Sequence, residues 1–313
     1  MIKDFERGII SFSDYLAEIN VLDKYKEKYS WVKSIIIYHI PYSNVTYYDN
    51  YLPAKFAYST DYHKVIKEFL EEEAKKMALK KYEVLVDVNF INEKVASYLA
   101  GMGSVGKNQL LISKRFGTFF NIGTIVTDEV FNYNKEIKED LCLNCNKCIK
   151  SCPNHALDNG YDKNKCLSFL TQSASKDFKL YDNMVLYYGC DACQDACPYN
   201  KSDRDIPFDD KSKLNLEILE QIDDYKAFAL DKTYNWIGYL KMLRNILVLE
   251  NKNKNISKER IEYYQNKHKD VKWFYDHLEY LKNKLGEWLW EKWIWFYINQ
   301  RFLKTLVILC VRA

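Results

Sequence analysis

The chain's 313 residues, 48% hydrophobic and 28% charged, hold enough apolar material for one large domain or two modest ones, which excludes a disordered polymer. Its 46 basic and 43 acidic residues leave a formal charge of +3, so no global field demands nucleic acid and any basic surface must come from local clustering. Eight of the nine Cys fall between Cys142 and Cys197 while Cys310 stands alone, which argues against a disulfide scaffold spread over the fold.

The opening MIKDFERGIISFSDYLAEIN carries acidic residues and no continuous apolar core, unlike a secretory signal or twin-arginine leader. A reducing cytoplasm is therefore expected, where clustered cysteines usually mean metal. Residues 5–28 predict a helical opening, and VKSIIIYHIPY (32–42) a buried strand ended by proline. DYHKVIKEFLEEEAKKMALKK (61–81) spaces its apolar residues as a helix, YEVLVDVNF (82–90) reads as the next strand, and INEKVASYLAGMG as a helix running into glycines. GTFFNIGTIVTDEV (117–130) is a further β-rich segment.

From about residue 213 the pattern turns helical, with LNLEILEQI, WIGYLKMLRNILVL and VKWFYDHLEYLKNKL as amphipathic runs. The expected class is α+β: an α/β domain over 1–135, a cysteine-rich module over 136–212, helices over 213–285 and an aromatic-rich tail over 286–313. Glu291, Lys292, Gln300, Arg301 and Lys304 interrupt that tail, and a membrane span needs about 18 nearly uninterrupted apolar residues. Packing on the preceding helices or a partner chain is expected, with an interfacial membrane helix as the alternative.

Cys142, Cys145, Cys148 and Cys152-Pro153 spell C-x2-C-x2-C-x3-C-P, while Cys190, Cys193 and Cys197-Pro198 spell C-x2-C-x3-C-P, with Cys166 between them. This is the bacterial ferredoxin spacing for four-iron (4Fe–4S) clusters, in which the cysteine before proline serves the neighbouring cluster. Applied here, Cys142, Cys145, Cys148 and Cys197 hold one cluster and Cys152, Cys190, Cys193 and Cys166 the other. Zinc ribbons also use C-x2-C pairs, but they rarely show the full run. Two adjacent clusters form an electron wire, and the wire serves either another protein or an acceptor held by this chain's own N-terminal domain.

GMGSVGKN places Gly101, Gly106 and Lys107 in the order of a phosphate-binding loop, but Asn108 stands where that loop needs Ser or Thr, and a helix precedes it where the motif requires a strand. Small residues here are instead expected to let the backbone approach a large, flat cofactor.

Together the segments FAYSTDYHKVIKEFLE, VDVNFINEKVASYLAGMGSVGKNQLLISKRFGTFFNIGTIVTD, CLNCNKCIKSCPNHAL, KCLSFLTQS, YGCDACQDACPYN and, more weakly, WIGYLKMLRNILVL make the chain resemble the epoxyqueuosine reductases. These are cobalamin-dependent, double-cluster iron–sulfur enzymes that complete queuosine synthesis in tRNA. The resemblance spans roughly residues 30–250. It implies a reductase-type domain that binds cobalamin, two 4Fe–4S clusters beside it and a C-terminal domain of HEAT-like helices. It also implies that Asp87 in LVDVNF is the proton donor, with Tyr62, His63, Lys107, Asn108, Gln109 and Ser168 around the cofactor.

Asp87 at a strand end ahead of a helix also sits where open α/β sheets place ligand chemistry, and a donor's pKa should be raised towards neutral by burial. His63 and His39 are taken as structural histidines rather than cobalt ligands. The implied partners are the anticodon loop of a tRNA carrying epoxyqueuosine and an electron donor such as flavodoxin or ferredoxin, acting on a monomer with no stable membrane insertion. Candidate RNA contacts are Lys114, Arg115, Lys241, Arg244 and the lysines of NKNKNISKER. Two departures stand out: Lys94 where many relatives carry arginine, and a short helical domain. The rival readings are a corrinoid reductase of another substrate, such as a dehalogenase-like enzyme, and a ferredoxin-type carrier.

Overall fold

The structure, a computed structural model, describes residues 2–43, 51–87, 89–135, 139–142, 145–200 and 213–286. The N-terminal part runs β1 (Glu6–Ser11), α1 (Phe12–Glu18), α2 (Asp23–Lys28), β2 (Ser34–Pro41), a 3-10 turn (Lys55–Ala57), α3 (Tyr62–Lys76), β3 (Tyr82–Val86), α4 (Glu93–Leu99), β4 (Ser104–Val105), β5 (Leu111–Ile112) and β6 (Phe120–Thr127). The cysteine region adds α5 (Lys147–Ser151), α6 (Leu167–Leu170), a 3-10 segment (Phe178–Asn183) and α7 (Ala192–Asp195). The helical region holds α8 (Leu216–Glu220), α9 (Tyr225–Ala229), α10 (Tyr239–Lys252), α11 (Lys258–Lys267) and α12 (272–286).

The main sheet has the order β1-β2-β6-β3, and each neighbouring pair is antiparallel. Strand β2 is buried along its whole length because helices cover both faces. Ile35 and Ile37 pack with Tyr15 and Ala96, from α1 and α4, whereas Ile36 and Tyr38 meet Ile66, Phe69 and Leu70 of α3. Alternate side chains of a strand point to opposite faces, so Ile35–Tyr38 are apolar at every position rather than every second one, and the buried Ser34 and His39 are hydrogen-bonded.

Three expectations change. The opening is not helical from residue 5: Glu6–Ser11 pairs along β2, from Glu6 opposite His39 to Ser11 opposite Ser34. Ser11 then ends the strand by capping α1, accepting from the backbone N–H groups of Ser13 and Asp14. The ladder available on the free edge of β2 outweighs the local helical spacing. The strand expected over 82–90 stops at Val86, because Asp87 turns into the left-handed region with φ of 58°. The α/β reading of the first domain becomes an antiparallel sheet with helices on both faces, so Asp87 does not owe its place to the end of a parallel sheet.

The helices after residue 213 share one core with the cysteine region: Leu167, Leu170, Tyr181 and Tyr187 pack with Met242, Leu243, Ile246 and Leu247 of α10. Arg244 lies fully buried in that seam. Its guanidinium donates to the carbonyls of Leu170 (3.1 Å) and Ser173 (2.9 Å), while the neighbouring Asn245 donates to those of Thr171 and Tyr187, each at 2.8 Å. No helix among the described residues is long and apolar enough to cross a membrane, and the tail beyond residue 286 lies outside the described residues.

Candidate active site

The eight cysteines between 142 and 197 are all free thiols. Their side chains gather in two places: Cys142, Cys145, Cys148 and Cys197 line one small cavity, whereas Cys152, Cys166, Cys190 and Cys193 line part of a larger one of about 350 Å³. Among the described residues no three His, Cys, Asp or Glu side chains converge as a single metal ion requires, whereas a four-iron cube holds its thiolates farther apart. Backbone N–H groups already point at two of the sulfurs, from Lys107 to Cys142 Sγ (3.3 Å) and from Ala156 to Cys152 Sγ (3.2 Å). Such donors stabilise thiolate charge and set cluster potential.

The larger cavity opens between the glycine loop, the edge of β6 and the second cysteine group. Asn108, Gln109 and Ser168 line it, with Phe56, Leu110, Phe120, Leu157 and Lys94. Lys107 does not: its ammonium donates to Asn146 Oδ1 at 2.7 Å, beside the first cysteine group. The glycine loop folds back as the β4–β5 hairpin rather than leading into a helix, so it lacks the frame of a phosphate-binding loop. A Cβ on Gly103 would clash with the Ile112 carbonyl oxygen. There the absent side chain makes room for the hairpin's own backbone. At Gly117, with φ of 62°, the space is taken by Asn200, whose Oδ1 accepts from the Thr118 N–H at 2.7 Å and ties the end of the second cysteine motif to the sheet.

Tyr62 and His63 open α3 and meet Asp87 at the end of β3. The Tyr62 hydroxyl donates to Asp87 Oδ2 at 3.2 Å, and His63 Nε2 lies 3.0 Å from the same oxygen. Asp61 caps α3 and holds the other face of the imidazole, with Oδ1 2.6 Å from Nδ1. Glu93 Oε1 accepts the Asp87 N–H at 2.9 Å, and Asn89 donates to the Asp87 carbonyl at 2.7 Å, so the left-handed turn is clasped from both sides. The group adjoins the cavity through Phe56, whose ring meets that of Tyr62, and through Lys94, which donates to the Gln109 carbonyl at 2.6 Å.

The expected upward shift of Asp87 is reversed. The hydrogen bond from His63 holds its carboxyl below the usual range, outweighing partial burial. His63 is raised to about 9 by its bonds to Asp61 and then Asp87, and burial raises Glu93 to about 8. His39 is a structural histidine, buried between Ser97 Oγ (3.0 Å from Nε2) and Glu6, with its ring stacked on Phe120.

Residues 141–200 match the family described as a 4Fe–4S double cluster binding domain. Over 241 residues the chain is 34% identical to the epoxyqueuosine reductase of Cyclobacterium marinum, covering 70% of this chain and 76% of that one. The chain belongs to the epoxyqueuosine reductase family.

It is thus an oxidoreductase carrying a double-cluster iron–sulfur domain. Its fold is that of the epoxyqueuosine reductase from Streptococcus thermophilus, with a TM-score of 0.78 at 21% identity over 90% of this chain and 86% of that one. An epoxyqueuosine reductase solved with an epoxyqueuosine-modified tRNA-Tyr stem loop gives a TM-score of 0.72 at 20% identity over 90% of this chain and 95% of that one.

Of the residues expected at an RNA surface, one is buried and the others lie nearer the surface with partners of their own. Arg244 is a correction: it is fully buried and committed to backbone carbonyls, because a guanidinium can bind several carbonyls at once where the seam leaves them unpaired. Lys114 pairs with Glu139 and Arg115 with Asp4. Lys252 donates to the Met184 carbonyl, whereas Lys241 stays near the surface over the exposed ring of Trp236. Residues that sequence reasoning passed over include Asp61, Asn89 and Glu93 around Asp87. Lys55 is another, buried with its N–H on Asp191 and its ammonium on Asp195, beneath the second cysteine motif. An Asp two residues before a histidine at a helix start was the one visible signal; for Lys55 there was none.

Proposed function

We propose that this chain is a tRNA epoxyqueuosine reductase that removes the epoxide oxygen of epoxyqueuosine at the wobble position, using two 4Fe–4S clusters and cobalamin. The observation that carries this reading is the division of eight thiols between two neighbouring cavities, the larger of which adjoins the Asp87 group through Phe56 and Tyr62, in a chain of this family. Cys142, Cys145, Cys148 and Cys197 would hold one cluster and Cys152, Cys166, Cys190 and Cys193 the second.

The residues fit cobalamin as well. The larger cavity combines apolar walls from Phe56, Leu110, Phe120 and Leu157 with amide and hydroxyl groups of Asn108, Gln109 and Ser168, a lining suited to a corrin rimmed by amides. When bound, cobalamin supplies the low-valent cobalt that brings two electrons to the substrate. The chain's part is to exclude water, orient the flipped nucleotide and supply protons. Opening the epoxide and releasing its oxygen as water consumes two electrons and two protons, and Asp87 would donate to the oxygen as its C–O bond breaks.

Residues 1–135 would form the cofactor domain, 136–212 the cluster module and 213–285 a HEAT-like tRNA-binding domain, in a cytoplasmic monomer served by a flavodoxin- or ferredoxin-type donor. Anaerobic purification with cobalamin supplied, followed by iron and cobalt analysis and an assay on tRNA from reductase-deficient cells, tests the reading. Stoichiometric cobalt and conversion of epoxyqueuosine to queuosine are expected. Iron without cobalt binding or conversion would leave only an electron carrier.

A further inference from the structure

We propose that Asp61 and His63 form a proton relay behind Asp87, in which Asp61 fixes the imidazole and His63 passes protons from solvent to the donor carboxyl. The proposal rests on the reading of Asp87 as proton donor and goes beyond it by naming where the protons come from.

The geometry is a line of three groups. Asp61 Oδ1 accepts both the backbone N–H of His63 (3.1 Å) and, at 2.6 Å, the ring Nδ1–H, which leaves Nε2 facing Asp87 Oδ2 at 3.0 Å. A carboxylate on Nδ1 fixes the ring's tautomer and orientation and favours imidazolium. His63, at the centre of the line, has a side chain 37% exposed and so meets water itself. Asp87 is open to water in the empty chain, 52% exposed, and once substrate covers that side His63 is the group left to bring it a proton.

The chemistry needs such a line. Loss of the epoxide oxygen as water takes two protons per turnover, and a carboxyl group holds one at most. Asp87, moreover, is held in its ionised form by the imidazolium beside it. In the relay, the Nε2–H bond of His63 breaks as the proton moves to Asp87. Asp87 gives that proton to the oxygen leaving carbon, and neutral His63 then recovers a proton from water. Repeating the transfer supplies the second proton, while both electrons come from the reduced cofactor. The other groups facing the line are Tyr62 on the same helix, Glu93 from α4 and Tyr188 from the segment before Cys190. None of these stands between His63 and solvent in the hydrogen-bond chain.

Two measurements test the relay. Histidine-ring NMR on the cofactor-free full chain reads the imidazoles directly, and with five His in the sequence assignment by substitution is practical. One ring, absent in His63→Gln, is expected to titrate near 9. In Asp61→Asn it is expected to move down by about one pH unit or more, since an opposite charge at this distance shifts a pKa by about 1–3 units.

In the loaded enzyme, single-turnover loss of epoxyqueuosine should fall above about pH 9. Asp61→Asn should bring that fall to lower pH, and His63→Gln should slow the reaction by about 10²-fold with iron content and tRNA affinity unchanged. A His63 ring titrating near its ordinary value, or His63→Gln with wild-type rate and pH profile beside an inactive Asp87→Asn, overturns the relay and leaves Asp87 as donor. Full activity in Asp87→Asn overturns both. Should His63→Gln not fold, the shift in Asp61→Asn decides the matter.

Discussion

Asp87 is a non-glycine residue with φ of 58°, a conformation that costs an ordinary side chain about 1–2 kcal/mol and that Asp and Asn tolerate best. The turn persists because Glu93 accepts its N–H and Asn89 holds its carbonyl. Asp87→Asn therefore keeps the backbone while removing the acid, and should lower turnover by about 10²-fold or more with the fold intact by circular dichroism and only the small loss of melting temperature that the missing His63 ion pair brings. Glu93 supplies a second prediction at this scale. Its folded pKa of about 8 lies above the ordinary glutamate value of 4.5, so between those values the unfolded chain has lost a proton that the folded chain keeps. Stability should fall as pH rises through that window, and melting curves of Glu93→Gln, which cannot ionise, should lack that slope.

At the scale of elements, the short helix α6 matters most because Cys166 stands at its N-terminal end. Its last carbonyls are held by Arg244 and Asn245 of α10, and Asn245 also holds Tyr187, three residues before Cys190. Two segments carrying second-site cysteines are thus fastened to one helix. Asn245→Ala leaves two buried carbonyls without this donor, a loss of about 1–3 kcal/mol for a group left unsatisfied. Anaerobically purified protein should then lose iron from the second site before the first. Cys166→Ser should do so more sharply, retaining about half the iron with the first cluster's electron paramagnetic resonance signal intact. In the sheet, Ile36 is fully buried between β2 and α3, and Ile36→Ala should cost about 2–5 kcal/mol in urea unfolding.

At the scale of the whole molecule, the cysteine region and the helices after residue 213 share a continuous core. Ligands that bind only the folded chain stabilise all that folds with them. Removal of iron by chelation should therefore lower the melting temperature of the helical region along with that of the cluster module, as one transition in calorimetry; separate transitions would show the helices to be independent.

What depends on near neighbours along the chain was legible in the order of residues alone. The cysteine grouping follows from two- and three-residue gaps, the buried strand from the run SIIIYHIP, and α3 from its apolar spacing. Tertiary structure decided what depends on partners far away. Glu6–Ser11 became a strand because the edge of β2 offered a ladder, and Arg244 went inside because carbonyls of α6 awaited a donor. The charge state of Asp87 turned on His63, 24 residues before it, being brought within 3.0 Å. A carboxyl's pKa is set by the groups around it in space, and no pattern of spacing along the chain contains that information.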